Sequence, residues 1–221
     1  MPKVTEEYIE NKKKLIIRTA YELCLKKTVS TVTMQDIING TGLSQGGIYR
    51  FYRDIDEIFR DMLADSRIRV NIKPRIDEIF SEDMPDDPKQ PLHRIFGLLE
   101  DFMTSELMGI VKINFEISVL SMNSPERAEK ILSSIEGTGN LEYLLMHTTE
   151  YMQKKIAEGI FRPRVSFEQL FTYLTTAYNG IEMSCIINYC YKKLPLNDWY
   201  VPKKQLATLE KTLYYLLGSS D

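Results

Sequence analysis

Histidine and cysteine, the side chains that most often bind metals or act as nucleophiles, are scarce in this chain of 221 residues. It contains two histidines, His93 and His147, and three cysteines. Cys185 and Cys190 lie five positions apart, a spacing that matches no zinc motif, and an odd number of cysteines does not indicate a disulfide framework. No HExxH, GxSxG or phosphate-loop pattern occurs. The sequence therefore predicts no metal site, no catalytic site and no cofactor, and we expect the protein not to be an enzyme.

Long apolar runs are missing as well. No stretch approaches the roughly 18 residues that a membrane-spanning helix needs. The N-terminal sequence MPKVTEEYIENKKK is charged throughout, unlike the apolar core of a signal peptide. We therefore expect no membrane partner and a cytoplasmic location.

Charge of one sign does not dominate, since the formal net charge is -3. The distribution is uneven, however. Residues 1–60 hold ten Lys or Arg against eight Asp or Glu, whereas the remaining residues hold 18 against 23. A mildly basic N-terminal segment on an acidic remainder weakly favours a polyanionic partner at that end of the chain.

Strand signals are nearly absent, because only residues 29–32 have β-branched character and they are too few to pair usefully. Apolar residues recur instead at helical spacing along almost the whole chain. The first helix is predicted over Tyr8–Lys27. Further helices are predicted to begin at capping or first-turn residues, namely Thr33, Ser44, Asp54, Ser124, Asn140, Ser166 and Pro202. The predicted fold class is all-α.

The segment TMQDIINGTGLSQGGIYRFYRD, residues 33–54, holds two short helical patterns around a glycine-containing turn. With the preceding helix they make a helix-turn-helix unit, whose second helix lies in the DNA major groove. Gly46 and Gly47 at the start of that helix let backbone N–H groups approach a phosphate, helped by the helix dipole. Tyr49 and Arg50 then offer long donors to phosphates or base edges. The segment therefore predicts DNA binding.

The same segment, Thr33 through Gly42 followed by LSQGGIYRFY, resembles the DNA-binding domain of TetR-family transcriptional repressors. The resemblance covers residues 10–60. It implies an N-terminal three-helix DNA-binding domain, residues 1–53, and a larger helical ligand-binding and dimerisation domain, residues 54–221. The resemblance and the chemistry of the segment together predict these residues for DNA contact or for positioning it: Thr33, Gln35, Ser44, Gln45, Gly46, Gly47, Tyr49, Arg50 and Arg53.

Two positions depart from the family's pattern. Phe51 stands where the family commonly has histidine, and Ile55 stands where it usually has a phosphate-binding lysine. Arg50 and Arg53 are candidates to compensate, as is the run Lys12–Lys14, although such a run is more typical of a solvated helix face. The aromatic residues of the segment also have a purely structural interpretation, in which they close the three-helix core.

A single helix-turn-helix contacts few bases, so regulators of this type dimerise and bind two half-sites related by a two-fold axis. Leucines near the C-terminus repeat at intervals of three and four, which suits helix pairing, and the helix before them is apolar on more than one side. The predicted dimer interface consists of Leu174, Ile181, Leu206, Leu209, Leu213 and Leu216. The alternative is that these residues pack within one chain.

The middle of the chain is rich in methionine and aromatic residues. In TetR-like proteins these helices surround an inducer cavity, and such residues suit an adaptable apolar pocket with few polar anchors. The predicted pocket residues are Phe102, Met103, Phe115, Met146, Tyr178 and Glu182. Asn114, Glu116 and Asn179 are further candidate anchors, with a surface position or a satisfied core position as the alternative.

The resemblance thus predicts a homodimeric, ligand-responsive repressor that binds a palindromic operator in double-stranded DNA. Its inducer is expected to be a small, mostly apolar molecule. We expect the fourth helix to link the cavity to the DNA-binding unit, so that ligand changes the spacing of the two recognition helices. The alternative is a helical small-molecule sensor or adaptor without DNA binding, for which Phe51 and Ile55 are the main arguments.

Overall fold

The structure is a computed structural model that describes residues 5–81, 87–104, 107–133, 135–191 and 201–219. These residues form α-helices with short 3-10 and π-helical turns, and no strand occurs among them. The predicted all-α fold class is confirmed. The chain packs into two units, one formed by Met1–Val70 with Lys112–Gly137 and the other by Asn71–Val111 with Thr138–Asp221.

The first unit contains the helix-turn-helix segment. Its helices are α1 (Glu6–Lys26), α2 (Met34–Thr41), α3 (Gln45–Tyr49) and α4 (Ile55–Arg69), joined later in the chain by most of α7 (Met108–Asn123) and by α8 (Pro125–Leu132). A 3-10 turn, Val29–Thr31, occupies the β-branched stretch between α1 and α2.

Side-chain caps fix where the short helices begin. Thr33 Oγ1 accepts a hydrogen bond from the Asp36 N–H, and the Asp36 carboxylate accepts one from the Thr33 N–H, which completes a capping box. Ser44 Oγ accepts from the Gly47 N–H at 3.2 Å, and Asp54 Oδ1 accepts from two N–H groups of the first turn of α4. Gly42 ends α2 in the left-handed conformation, with φ of 66°. The caps predicted at Thr33, Ser44 and Asp54 are confirmed.

One hydrophobic core holds this unit together. Ile16 of α1, Ile37 of α2 and Ile48 of α3 are fully buried, and Ile113 of α7 and Ile131 of α8 belong to the same cluster. Because α3 is anchored through its inward face, the opposite face of this short helix is free of the core.

The second unit contains α5 (Lys73–Ser81), α6 (Gln90–Thr104), the first turn of α7, α9 (Asn140–Ala157), α10 (Phe167–Ile186) and α11 (Pro202–Leu216). A π-helical turn, Ile187–Tyr191, extends α10. Helices α6 and α10 both pack against α11, and α5 packs against α6 and α9. None of the described helices combines the length and the apolar content needed to cross a lipid bilayer.

The structure differs from the sequence predictions in small ways. Helix α1 begins at Glu6 rather than Tyr8, because Thr5 supplies its cap. Helix α9 is capped by Gly139, one residue before the predicted cap. Helix α5 was not predicted as a separate element. The functional division between residues 53 and 54 stays a prediction, although α4, most of α7 and α8 pack in the same unit as the helix-turn-helix.

Candidate nucleic-acid interface and ligand cavity

The outward face of α3 forms a polar surface. Ile48 is fully buried, whereas Gln45, Gly46 and Arg50 are exposed and Tyr49 is 45% exposed. Because Ile48 packs into the core on one side of this short helix, the four exposed residues face solvent on the other side. The arrangement leaves one glutamine amide, one phenol and one guanidinium available to a partner.

The two glycines of this helix have different surroundings. A Cβ added at Gly46 would meet nothing within 4 Å, whereas one added at Gly47 would lie 3.2 Å from Ser44 Oγ. The Gly47 N–H already donates to Ser44 Oγ, and the first intrahelical bond is made by the Ile48 N–H. The N–H groups of Gln45 and Gly46 therefore precede the helical hydrogen-bond ladder. Of these two glycines, Gly46 is the one that could carry a side chain without a clash inside the protein.

The predicted contact residues outside α3 are exposed as well. The Thr33 hydroxyl donates to Asp36 Oδ2 at 2.9 Å, and the Gln35 amide donates to Asn39 Oδ1 at 2.9 Å. Arg53 has an exposed side chain, and its backbone N–H donates to Glu57 Oε2 at 2.8 Å. Thr33 thus has a structural role as a cap beside any contact to DNA.

Three carboxylates close to this surface are paired with cations. Lys27 Nζ lies 2.5 Å from Asp36, Lys130 pairs with Asp54, and Arg127 lies 2.6 Å from Asp56. The hydrogen bond from Lys27, together with the N–H and hydroxyl of Thr33, lowers the pKa of Asp36. These pairs neutralise acids that would otherwise repel a phosphate backbone.

Arg50 and Arg53 form no ion pair with any residue that the structure describes, so their charges remain available. Phe51 and Ile55, the two departures from the family pattern, are half-buried and pack against the hydrophobic core of this unit. They therefore contribute to stability rather than to a polar contact, and the cationic groups at the end of α3 are the two arginines.

A cavity of about 170 Å³ lies within the second unit between α6, α9, α10 and α11. Its walls are mostly leucine and phenylalanine side chains. The polar groups on its wall are those of Thr148, Thr149, Thr175, Tyr178 and Asn179, and no charged side chain lines it among the described residues.

Of the six residues predicted for a pocket, Tyr178 is the one that lines this cavity. Its hydroxyl donates to Glu182 Oε1 at 3.3 Å, and burial raises the pKa of the Glu182 carboxyl. The other four lie elsewhere: Phe102 and Met103 are on α6 outside the lining, Phe115 belongs to the first unit and Met146 is 45% exposed on α9. The structure does not bring the predicted set together.

The sequence of the helix-turn-helix region matches a known protein family. The family model for "Bacterial regulatory proteins, tetR family" matches residues 16–62, which contain α2 and α3 with the buried half of α1 and the first half of α4. The N-terminal region of this chain is similar to the TetR family of bacterial regulatory proteins. The resemblance inferred from the sequence is therefore confirmed, and the matched range includes α3.

Other known proteins are similar to this chain over most of its length, in sequence or in fold. A curated relative, the "Uncharacterized HTH-type transcriptional regulator YfiR" of Bacillus subtilis (strain 168), is 21% identical over 184 residues, which cover 81% of this chain and 82% of the relative. The solved structure of Salmonella enterica GusR matches with a TM-score of 0.58 and 14% identity, covering 98% and 99% of the two chains. Thermus thermophilus FadR, a TetR-family repressor in complex with lauroyl-CoA, matches with a TM-score of 0.50 and 16% identity, covering 93% and 92%. The fold is that of TetR regulators, with an N-terminal helix-turn-helix domain and a helical C-terminal domain.

Most of the leucine repeat near the C-terminus packs inside one protomer. Leu206, Leu209 and Leu213 are only 2–5% exposed, and Leu209 and Leu213 line the cavity together with Leu174. A side chain that is already buried in its own chain has little surface left to lose to a partner. Packing within one chain, the alternative interpretation, therefore describes these three leucines.

The remaining predicted interface residues lie at a groove or near the chain end. Ile181 is 9% exposed and lines a groove between α10 and α11, which Ala177 and Thr208 also line. Leu216 is half-buried. The outer faces of α10 and α11 carry exposed residues that the leucine pattern did not identify, among them Tyr173 and Met183.

One buried ion pair of the first unit was not predicted as a pair, although a satisfied core position was the alternative given for Glu116. Lys112 Nζ lies 3.0 Å from Glu116 Oε1, and the two side chains are 3% and 6% exposed. The ammonium also donates to the carbonyl oxygens of Cys24, at 2.7 Å, and Lys27, at 3.0 Å, while Glu116 Oε2 accepts from the Val29 N–H at 2.8 Å. The pair therefore fastens α7 to the C-terminal end of α1. The signal in the sequence was a lysine and a glutamate four positions apart in an apolar stretch.

Proposed function

We propose that this chain is a ligand-responsive transcriptional repressor that binds a palindromic operator in double-stranded DNA as a homodimer. It acts in the cytoplasm and needs no cofactor and no catalytic group. The observation that carries the proposal is the outward face of α3, where Gln45, Gly46, Tyr49 and Arg50 are exposed on a unit that is similar to the TetR family. A helix-turn-helix presents this face to the major groove.

The individual contacts follow from the chemistry of the side chains. The Gln45 amide can form two hydrogen bonds with the edge of an adenine, which makes it the principal base-reading group of α3. The Tyr49 hydroxyl and the Arg50 and Arg53 guanidinium groups donate to phosphates and fix the register of the helix on the duplex. The backbone at Gly46 lies close to a phosphate because no side chain separates them.

The homodimer is proposed to form through the outer faces of α10 and α11. From Gln169 to Tyr191 the chain has a single charged residue, Glu182, although Thr172, Tyr173, Thr176 and Met183 are exposed in one protomer. A solvent-exposed helix face without charge is typical of a surface that a partner covers. Two recognition helices related by the two-fold axis then contact half-sites about one helical turn apart, roughly 34–36 Å.

Ligand binding in the cavity of the second unit is proposed to change that spacing. The chain passes from one packing unit to the other after Val70, between Val111 and Lys112, and after Gly137. The second of these points lies inside the continuous helix α7, and the Lys112–Glu116 pair attaches that helix to α1. We therefore propose that α7 transmits ligand binding together with α4. The FadR structure with lauroyl-CoA supports ligand binding in a protein of this fold.

DNA binding is tested by titrating the purified protein against its own upstream DNA over a salt series. The logarithm of the specific association constant should fall linearly with the logarithm of salt concentration. Arg50→Ala should reduce that slope by about 1 per protomer, because one phosphate contact is lost. Arg75→Ala, which removes an exposed arginine of α5 in the other unit, is the matched control and should leave the slope unchanged. Binding no tighter than to random DNA would favour the sensor or adaptor without DNA binding.

The dimer surface is tested by placing a charge on the exposed face of α10. Thr176→Arg should give a particle with the mass of one chain, 25.7 kDa, in light scattering after size-exclusion chromatography. Gln153→Arg on the exposed side of α9 is the control and should leave the dimer intact. A dimer of unchanged stability in Thr176→Arg would place the interface on another surface.

A further inference from the structure

The cavity of the second unit contains one polar atom with an unusual environment. Thr148 Oγ1 is buried and has no hydrogen-bond partner among the residues that the structure describes. Thr148 lies on α9, and its side chain lines the cavity. Most buried hydroxyl groups in folded proteins have a partner, so such an atom requires an explanation.

Two other hydrogen-bonding groups on the same wall, those of Thr175 and Tyr178, have partners within the chain. Thr175 Oγ1 donates to the carbonyl oxygen of Phe171 at 2.9 Å, the usual bond of a helical threonine to the preceding turn. The Tyr178 hydroxyl donates to Glu182. The Thr148 hydroxyl makes no such bond with the described residues, and the residue lies on the wall of a cavity that is mostly apolar. A molecule in that cavity is the partner that this hydroxyl can reach.

The size of the cavity limits that molecule. Its volume is about 170 Å³, and an engineered cavity of about 150 Å³ with similar leucine and phenylalanine walls admits benzene. A single ring with one or two substituents therefore fits, whereas a long-chain acyl thioester does not.

The walls also limit its charge. No charged side chain lines the cavity among the described residues, and most of its wall is apolar, including Leu92, Leu99, Leu144 and Phe96. An ion in such surroundings would lose its hydration without gaining a counter-ion, which is strongly unfavourable. The predicted anchor Glu182 does not line the cavity and is already engaged by Tyr178.

We infer that the effector is a neutral, single-ring molecule with one uncharged hydrogen-bonding group, which is held by the hydroxyl of Thr148. This inference rests on the proposed function, since it names the ligand class of the proposed effector site. A threonine hydroxyl both donates and accepts, so the ligand group is a hydroxyl or a carbonyl. The apolar walls supply affinity, and Thr148 supplies selectivity for the polar group.

The test compares four probes of similar size, phenol, toluene, benzoate and benzylammonium, by calorimetry and by thermal unfolding of the full chain. Phenol should bind, and at ten times its Kd it should raise the Tm by roughly 3–6 °C. Toluene should bind more weakly, and the two ions should bind at least about a hundredfold more weakly than phenol. Ions that bind as well as phenol would overturn the inference.

The role of Thr148 is tested by Thr148→Val, which removes the hydroxyl and keeps the shape. Phenol affinity should fall roughly threefold to tenfold, as expected for one hydrogen bond, while toluene affinity should not fall. Thr28→Val, at an exposed position of the first unit, is the control and should change neither. An equal loss for both probes would refute the hydrogen bond. The comparison of the four probes needs only the unmodified protein, so it decides the ligand class even if the variant is unstable.

Failure of this inference and failure of the proposed function are distinguishable, because the probes are measured without DNA and operator binding is measured without probe. Operator binding without any phenol binding would overturn the ligand class and leave the DNA-binding proposal standing. Phenol binding without operator binding would support the ligand class and favour a sensor that does not bind DNA.

Discussion

Gly46→Ala should move the stability and the DNA affinity of this protein in opposite directions. The added methyl group meets nothing within 4 Å, and Gly46 has no positive φ, so alanine fits the native backbone. Replacing glycine by alanine at a compatible position stabilises a protein by about 0.4–1 kcal/mol, mainly by restricting the unfolded chain. For a chain of this length we expect a rise in Tm of roughly 1–4 °C.

The effect on DNA binding comes from the same methyl group. If the backbone at Gly46 lies against a phosphate, a Cβ there pushes the phosphate away and removes a hydrogen bond to a charged acceptor. Such a bond contributes about 1.5–3 kcal/mol, so affinity for one half-site should fall by about tenfold to a hundredfold. Fluorescence anisotropy with a labelled operator at fixed salt measures this loss, since salt alone changes such affinities by orders of magnitude.

Gly97→Ala provides the matched control. Gly97 lies inside α6 in the second unit, is exposed and also has nothing within 4 Å of an added Cβ. It should raise the Tm by a similar amount and leave DNA affinity unchanged. If Gly46→Ala raises the Tm and binds the operator as tightly as the unmodified protein, the main chain at this position does not contact the nucleic acid.

Three further perturbations test other parts of the structure. Lys112→Met should lower the free energy of unfolding by about 3–5 kcal/mol in urea, because its carboxylate partner stays buried without a counter-ion. Gly218→Ala should cost at least about 2 kcal/mol in the same assay, because φ is 65° and the new Cβ would lie 2.0 Å from the carbonyl oxygen of Arg162. Asp36, whose pKa is lowered by its hydrogen bond from Lys27, stabilises the fold above the ordinary aspartate pKa. That contribution is lost as pH falls through the lower folded pKa, so the stability deficit of Asp36→Asn, followed by circular dichroism from pH 7 to pH 2, should shrink with acidification.

The beginnings of the short helices were predictable because they depend on neighbours in the sequence. Thr33 with Asp36, and Asp54 with Glu57, form their bonds within three or four residues, so their spacing alone identifies the cap. The burial of Ile48 beside exposed Tyr49 likewise follows from helical periodicity. The TetR resemblance rested on the same local features, which is why the family match begins and ends close to the predicted range.

The cavity was not predictable in the same way, because its wall is assembled from four helices that are distant in the sequence. Met146 and Thr148 lie two positions apart on α9, yet the methionine is exposed and the threonine lines the cavity. Composition favoured the methionine as a pocket residue. Helix orientation decides which side chain faces inward, and that orientation depends on packing against other helices, such as α5, rather than on residue type.

The same limit applies to the leucines of α11. A repeat at intervals of three and four indicates that one face of a helix is buried, but it does not distinguish a neighbouring helix of the same chain from a helix of a partner. The structure places Leu206, Leu209 and Leu213 against the protomer's own helices. The exposed, uncharged face of α10 then becomes the better candidate for the dimer, a feature that depends on which side of the helix is left uncovered.

Ile55, which stands where a TetR-like segment usually has lysine, affects which side chains can contact the proposed operator. The start of α4 has the positive end of a helix dipole, but it also carries Asp54, whose carboxylate is paired with Lys130. Lys130 cannot simply take the place of the missing lysine. If it left Asp54 to bind the phosphate, the Asp54 carboxylate would remain unpaired beside that phosphate. In the proposed function, the positive charge for the backbone contact comes from the end of α3, where Arg50 and Arg53 are exposed and form no ion pair with the described residues, with Lys12–Lys14 as the other candidate source. Charge removed at either arginine should consequently weaken DNA binding more than in relatives that retain the lysine.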